Sequence, residues 1–271
     1  MAYEWRDLES TSGGRLGVYA VDTGSGAFIG YRQNERFAMC STFKTLAVGA
    51  VLARVDAGTA AFSTRLSYSA ADIQAYAPIA KQHLSRGYMS VRECCEAAMD
   101  YSDNTAANLI VKLLGGPPMV TAYVRSLGDE VTRLDRVEPE LNEIVPGDLR
   151  DTTSPHAMAA DVRRLALGNA LSESSRTLLA GWLVANTTGP TCIRAGVPAS
   201  WRVGDKTGMG GPHNAYGDSD TRNDVAILWP PDRAPIVAAV YLTGCTLPAK
   251  RRDAVLARAG SLVAARFVPT A

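Results

Sequence analysis

Two hydrophobic rhythms divide the chain. Near both ends, apolar positions alternate with polar or small ones, the period of a strand. This holds for Arg15 to Asp22, for Ala27 to Tyr31 after a Thr23-Gly24-Ser25-Gly26 turn, and for Trp201 to Lys206, Asp224 to Trp229 and Ile236 to Thr243. Between them the period is helical, over Phe43 to Val55, Val91 to Asp100, Thr105 to Leu114, Val120 to Leu127, Pro155 to Leu167 and Ser172 to Asn186. Gly115-Gly116-Pro117-Pro118 and Pro146-Gly147-Asp148 read as stop signals between those helices. Arg252 to Phe267 is a last helix, with Val255, Leu256, Leu262 and Val263 on one stripe, expected to pack on the sheet beside a helix near the N-terminus. The predicted architecture is α/β plus all-α: a five-stranded antiparallel sheet flanked by helices, built from residues 1–32 and 185–271, with an all-helical domain, 33–184, inserted into it. Clefts between such units are where small ligands bind, so the active site is expected there.

Composition narrows the function classes. With 271 residues, 46% of them apolar, the chain can build a full core. A net charge of +1 with scattered basic residues argues against a nucleic-acid surface, and Lys250-Arg251-Arg252 reads as a solvated helix start. No apolar run is long enough to span a bilayer, and Met1 to Asp7 lacks the apolar core of a signal peptide. Cys40, Cys94, Cys95, Cys192 and Cys245 contain no Cys-x-x-Cys spacing, and His83, His156 and His213 form no metal-type pair, so neither metal nor cofactor is expected. The thiols read as mostly reduced and buried, with Cys192 to Cys245 the one pairing left open.

Chemistry enters with Ser41-Thr42-Phe43-Lys44, which sets a hydroxyl and an amine three residues apart in a helical pattern, on one face. Serine becomes a nucleophile when a neighbouring base takes its proton, and a desolvated lysine beside other cations can be that base. The same spacing would suit a capping serine followed by a solvated lysine. Ser102-Asp103-Asn104 is likewise an ordinary N-cap sequence when taken alone. Lys206-Thr207-Gly208 ends a strand, and Arg136-Val137-Glu138-Pro139-Glu140-Leu141-Asn142 lies between the two motifs.

In this order and over nearly the whole chain, these four motifs resemble those of class A serine β-lactamases, within the superfamily shared with penicillin-binding proteins. The resemblance implies a small-molecule β-lactam substrate, penicillins and cephalosporins among them, opened through an acyl-serine intermediate, with antibiotic resistance as its consequence. It implies Ser41 as nucleophile, facing Lys206 across the cleft, and an oxyanion hole from the backbone N–H groups of Ser41 and Met209. Lys44 is the acylation base or the group that orients one. Ser102 would relay a proton to the departing nitrogen, and Asn104 would hold the acylamino side chain. Lys206 and Thr207 would bind the substrate carboxylate, with Gly208 allowing close approach. Glu138, on an Ω-loop at about 133–151 and helped by Asn142, would activate the deacylating water. Arg136 and Asp151 would close that loop by an ion pair, and Glu138-Pro139 is a candidate cis peptide. Tyr76 matches the aromatic at the cleft mouth, a buried core tyrosine being the alternative. Thr188 and Asn186 would line the carboxylate side. A supporting arginine is expected at Arg222 or Arg252, with Arg222 favoured because it directly precedes Asn223-Asp224.

Disulfides known in the family lack a partner here: Val48 stands where Cys95 would need one, and Gly210 where Cys40 would. Residues 209–224 are longer than in most relatives, and the glycine, asparagine and aspartate content of Pro212 to Thr221 predicts an exposed, mobile loop, either a gate for bulky substrates or a solvent-projecting insertion. The resemblance also implies an exported protein, periplasmic or secreted, acting as a monomer without membrane or nucleic-acid partners. Two rivals share most motifs: a penicillin-sensitive D-alanyl-D-alanine peptidase and a penicillin-sensing domain without turnover. Glu138 with Asn142 argues against both, since each would stop at the acyl-enzyme.

Overall fold

The computed structural model describes residues 2–213 and 217–267. Strands β1 (Arg15–Asp22), β2 (Phe28–Tyr31), β3 (Phe37–Ala38), β4 (Arg65–Ser67), β5 (Tyr88–Ser90), β6 (Thr152–Thr153), β7 (Arg202–His213), β8 (Ser219–Trp229) and β9 (Ile236–Thr243) appear in that order. The main sheet has five strands in the order β2-β1-β9-β8-β7, every pair antiparallel. Two short ribbons, β3 with β6 and β4 with β5, complete the strand pairing. Helices are α1 (Ala2–Ser12), α2 (Phe43–Asp56), α3 (Val91–Asp100), α4 (Asn104–Leu114), α5 (Pro117–Ser126), α6 (Pro155–Ala166), α7 (Glu173–Ala185), α8 (Ile193–Gly196) and α9 (Ala249–Phe267).

The period-two pattern sorts the sheet residues between two cores. Leu16, Val18 and Ala20 of β1, with Ala238, Val240 and Leu242 of β9, face α1 and α9. Their alternates, Tyr19, Val21, Val237, Ala239 and Tyr241, join the core formed with α2 to α7. Both sheet faces are therefore covered. The helix α2 is buried over Phe43 to Leu52, which explains its nearly continuous apolar sequence.

Three expectations change. The stop signal holds, with α4 ending at Leu114 and Gly115 as its C-cap, but α5 begins at Pro117 and not at Val120, because a proline in the first helical turn forgoes an N–H that has no intrahelical partner anyway. Within the expected loop from Pro212 to Thr221, residues 212–213 and 219–221 are strand: His213 pairs with Ser219 and Gly210 with Thr221, with a register irregularity between Gly210 and His213. Asn214, Ala215 and Tyr216 lie outside the described residues. This extension packs against the molecule, since Thr221 Oγ1 shares a hydrogen bond with Thr243 Oγ1 at 2.8 Å, and the Cys245 N–H donates to the Asp220 carbonyl at 2.9 Å. Residue type predicted a loop here, whereas backbone pairing needs no apolar side chain.

The third change is Arg252, read as part of a solvated helix start but only 1% exposed. It sits in the first turns of α9 and donates from Nη1 to the Ser219 carbonyl, tying the helix to the hairpin. Removing the guanidinium orphans that carbonyl and leaves a void. Arg252→Ala is expected to cost about 2–3 kcal/mol, a drop in Tm of several degrees that thermal denaturation would read.

Candidate active site

Ser41 lies in a single 3-10 turn, Cys40–Thr42, that runs into α2. Cys40 adopts φ +46°, a left-handed conformation costly for a residue with a side chain. The turn is held by Thr42, whose Oγ1 donates to the Met39 carbonyl at 2.8 Å and lies 3.0 Å from the Tyr241 hydroxyl. It also abuts β7: a Cβ on Gly208 would fall 2.8 Å from the Met39 carbonyl oxygen, and one on Gly210 would fall 2.7 Å from Cys40 Sγ. Glycine is required at both positions for the strand to pass this close. On the next strand, Asn223 Nδ2 donates to the carbonyls of Ala38 and Met39, anchoring the approach from the other side.

Lys44 follows one turn along α2, fully buried. Its Nζ is 2.9 Å from Ser41 Oγ, 2.8 Å from the Ser102 carbonyl, 3.2 Å from Ser102 Oγ, 2.6 Å from Asn104 Oδ1 and 3.1 Å from Glu138 Oε1. An ammonium has three N–H bonds, so these acceptors compete and share. Burial pushes the Lys44 pKa down, and the Glu138 carboxylate opposes that shift. Glu138 is itself 1% exposed, with Oε1 3.2 Å from Ser41 Oγ and Oε2 accepting from Asn142 Nδ2 at 2.5 Å. Asn142 Oδ1 has no partner among the described residues.

Ser102 connects the two sides. Its φ is +57°, another left-handed non-glycine residue, and its Oγ accepts from Lys44 and, at 3.0 Å, from Lys206 Nζ. With an N–H from each lysine donating to the oxygen, its own hydrogen is left for an acceptor in the cleft. Asp103 is fully buried and caps α4 through the Ala106 N–H, while its other oxygen accepts from the N–H groups of Ile79 and Ala80. That bond pair, with the Asn104 N–H donating to the Tyr76 carbonyl, fixes the segment carrying Tyr76. Tyr76 is 52% exposed at the cavity mouth, so the core alternative for it falls.

On the sheet side, Lys206 Nζ also donates to the Thr207 carbonyl at 3.0 Å. Burial and the Lys44 charge lower its pKa strongly. The hydroxyls of Thr207 and Thr188 share a hydrogen bond at 2.5 Å, and Thr188 Oγ1 donates to Asn186 Oδ1. Asn186 is thus one layer behind the cavity, where its Nδ2 donates to Asp205. Arg222 lines the cavity opposite Met209, held by Asp253 at 2.7 Å and donating to the Thr188 carbonyl. Arg252, on α9, takes no part in this cavity.

Ser41, Tyr76, Ser102, Asn104, Asn142, Thr188, Thr207, Met209 and Arg222 line a cavity of about 250 Å³. Lys44, Glu138, Lys206 and Gly208 lie beneath it. The volume is suited to a compact ligand near the lower end of the usual range. A larger hollow of about 600 Å³, between residues 143–150 and the start of β1, contains none of these groups.

Sequence patterning missed several supports. Asn108 receives the Glu138 N–H on its Oδ1 at 2.9 Å and donates back to the Glu138 carbonyl at 2.8 Å. Its only signal was a polar residue four positions after Asn104 on a mostly apolar helix. Asp253 carried no local signal at all, and Asn223 served only to mark Arg222, not as a support of its own. The five cysteines are free and buried; Cys192 contacts Arg222 Nη2 at 3.1 Å, and Cys245 Sγ donates to the Ser12 carbonyl, so the pairing left open is not formed.

The loop bearing Glu138 is closed at its base by Asp151. One of its oxygens accepts from the N–H groups of Asp135 and Arg136, and the other from Arg136 Nε at 2.6 Å. Glu138-Pro139 is cis. Asp151 is fully buried, so removing the carboxylate leaves the guanidinium and two amides without their acceptor. Asp151→Ala is expected to destabilise the protein by about 3–5 kcal/mol in urea denaturation.

Comparison with known proteins gives a consistent result. Residues 2–267 match the family model described as the beta-lactamase enzyme family. The chain is 52% identical over 257 residues to Beta-lactamase AST-1 of Nocardia asteroides, covering 95% of this chain and 80% of that protein. It is 50% identical to Beta-lactamase OXY-2 of Klebsiella oxytoca, covering 95% and 86%. Among solved structures, an ancestral class A β-lactamase superposes with a TM-score of 0.93 at 55% identity, covering 98% of this chain and 99% of that one.

Proposed function

This chain belongs to the class A β-lactamases, and from that premise we propose that Ser41, Lys44, Ser102 and Glu138 carry out its hydrolysis of the β-lactam amide. The observation that carries this division of labour is the buried Glu138 carboxylate 3.2 Å from Ser41 Oγ, on the same side as Lys44. A carboxylate so placed is within reach of a water attacking an ester formed on that oxygen.

In the first half-reaction, Ser41 attacks the lactam carbonyl while its proton passes to Lys44 or Glu138, both within hydrogen-bond distance of Oγ. The N–H groups of Ser41 and Met209 receive the developing oxyanion, helped by the close passage of β7 over the nucleophile turn. Ser102, bonded to both lysines, hands its hydrogen to the ring nitrogen as the C–N bond breaks and takes a proton back from Lys44, whose Nζ is 3.2 Å from its Oγ. In the second half-reaction, Glu138 takes a proton from a water that Asn142 helps to hold, the hydroxide attacks the ester carbonyl, and the proton passes to Ser41 Oγ as the C–O bond breaks. Lys206, Thr207, Thr188 and Arg222 hold the substrate carboxylate, Gly208 gives the ligand room along β7, and Asn104 and Tyr76 bind the acylamino side. We assign the sheet-bearing unit to residues 1–32 and 185–271 and the helical unit to 33–184. The enzyme acts as a monomer outside the cytoplasm, on penicillins and cephalosporins; no helix among the described residues is long and apolar enough to cross a membrane.

Steady-state turnover of a penicillin and a chromogenic cephalosporin tests the reading as a whole, because a peptidase or sensor would stop after one equivalent. Within it, Glu138→Ala is expected to acylate and then stall, so intact mass should show the protein plus one ring-opened penicillin. Normal turnover without an adduct would remove Glu138 from deacylation. If acylation in this variant remains fast, Lys44 alone is a sufficient base for that step.

The carboxylate anchor separates the two arginines. A charge-assisted hydrogen bond contributes about 1.5–3 kcal/mol, so Arg222→Ala should lose at least about tenfold in kcat/KM for a penicillin. Arg252→Ala, which alters only the hairpin and α9, should stay within about threefold at a temperature where it is folded. The reverse ranking would transfer the anchor to α9.

A further inference from the structure

Most charged groups beneath the carboxylate side of the cleft have dedicated partners. Arg194 pairs with Asp205 at 2.6 Å, Arg222 with Asp253 at 2.7 Å and Lys44 with Glu138 at 3.1 Å. Two do not make an ion pair among the described residues. Lys206 donates only to Ser102 Oγ and the Thr207 carbonyl. Asp224, fully buried, accepts the Ile193 N–H at 3.0 Å on Oδ2, while Oδ1 has no partner.

Asp224 stands opposite Thr207 in register and two residues along β8 from Arg222, on the same sheet face. The charged and titratable groups around it are Asp205 and Lys206 of β7, Arg222 of β8 and Cys192 at the start of α8, with Asp253 of α9 behind Arg222. The helix α8 also presents the Ile193 N–H. If Asp224 were ionised, its charge would offset that of Lys206, which leaves β7 on the other sheet face, and would set an anion beside Thr207 and Arg222 where the substrate carboxylate must sit. A neutral acid there leaves both cations to the ligand.

We propose that Asp224 is a positioning residue that acts as a protonated acid, keeping Lys206 and Arg222 uncompensated for the substrate carboxylate, and that its ionisation weakens substrate binding. The direction agrees with its surroundings: burial and the Asp205 charge raise the Asp224 pKa well above that of a free carboxyl, against the Ile193 N–H, Arg222 and Lys206. A bound carboxylate adds a negative charge and raises it further. By linkage, binding favours the protonated form, so KM should climb as pH rises through the pKa of Asp224 in the free enzyme. This inference rests on the assignment of Lys206 and Arg222 to the carboxylate.

The test compares pH profiles of KM and kcat for a carboxylate-bearing cephalosporin and its methyl ester, in wild type and Asp224→Asn. Asparagine is neutral at every pH, so the alkaline rise in KM for the acid should move upward by about one pH unit or more, with kcat changed by less than about twofold. The ester should show no such rise in either protein. An unmoved limb, or one moved to lower pH, overturns the inference; the latter would mean that an ionised Asp224 sustains the Lys206 charge. If ester and acid are turned over equally well at neutral pH, the carboxylate assignment itself fails. Should the variant not fold, proton uptake by Lys206→Arg decides, because its guanidinium stays charged and does not titrate. On the alkaline limb, binding a carboxylate-bearing boronic acid should take up close to one proton more than its carboxylate-free analogue, and equal uptake by both overturns the proposal.

Discussion

The Lys44–Glu138 ion pair is the constraint on which the site depends. Both side chains are wholly withdrawn from solvent, and moving two such groups out of water costs several kcal/mol each unless every lone pair and N–H is met. The surrounding structure meets that demand: the Ser102 carbonyl and Asn104 Oδ1 receive the ammonium, and Asn142 donates to the second carboxylate oxygen. Ser41 therefore sits between a buried base and a buried acid-base pair partner. The same contacts that make the pair tolerable orient the nucleophile.

Holding a carboxylate at that depth from a loop requires the loop to be rigid at both its base and its tip. Asp151 supplies the base, accepting from two backbone amides and one guanidinium. Asn108 supplies the tip by bonding both backbone atoms of Glu138 itself. One anchor belongs to the loop and the other to α4, the helix that begins at Asn104. The loop is thereby registered to the Ser102–Asn104 motif, and through Ser102 Oγ to Lys206 on the sheet. Deacylation and leaving-group chemistry share one frame.

The sheet contributes by proximity. β7 passes the nucleophile turn closely enough that neither Gly208 nor Gly210 could carry a side chain unchanged, and Asn223 clamps the preceding residues from β8. Cys40, just before the nucleophile, and Ser102 both adopt left-handed backbone conformations. Such strain persists only where surrounding contacts over-determine it. Here the contacts are the Thr42–Tyr241 bond, the Asp103 cap and the two lysines meeting at Ser102.

What the sequence determined was whatever depends on local spacing. The alternation in β1 and β9 specified which residues face each core, the helical period located α2, α3 and α4, and the order of four short motifs identified the family and the chemistry. Tertiary structure decided what depends on distant partners. Residue composition between Pro212 and Thr221 spoke for a loop, yet cross-strand pairing made residues 212–213 and 219–221 strand. Arg252 looked solvated beside Lys250 and Arg251, but the hairpin carbonyl it bonds comes from more than thirty residues earlier. Asn108 and Asp253 resemble ordinary polar positions until folding sets them against Glu138 and Arg222, and Asp224 gains its place beside Thr207 only through cross-strand register. A side chain's charge and environment come from what packs around it, and one-dimensional spacing carries no record of contacts between segments that meet only when the sheet and the helices close.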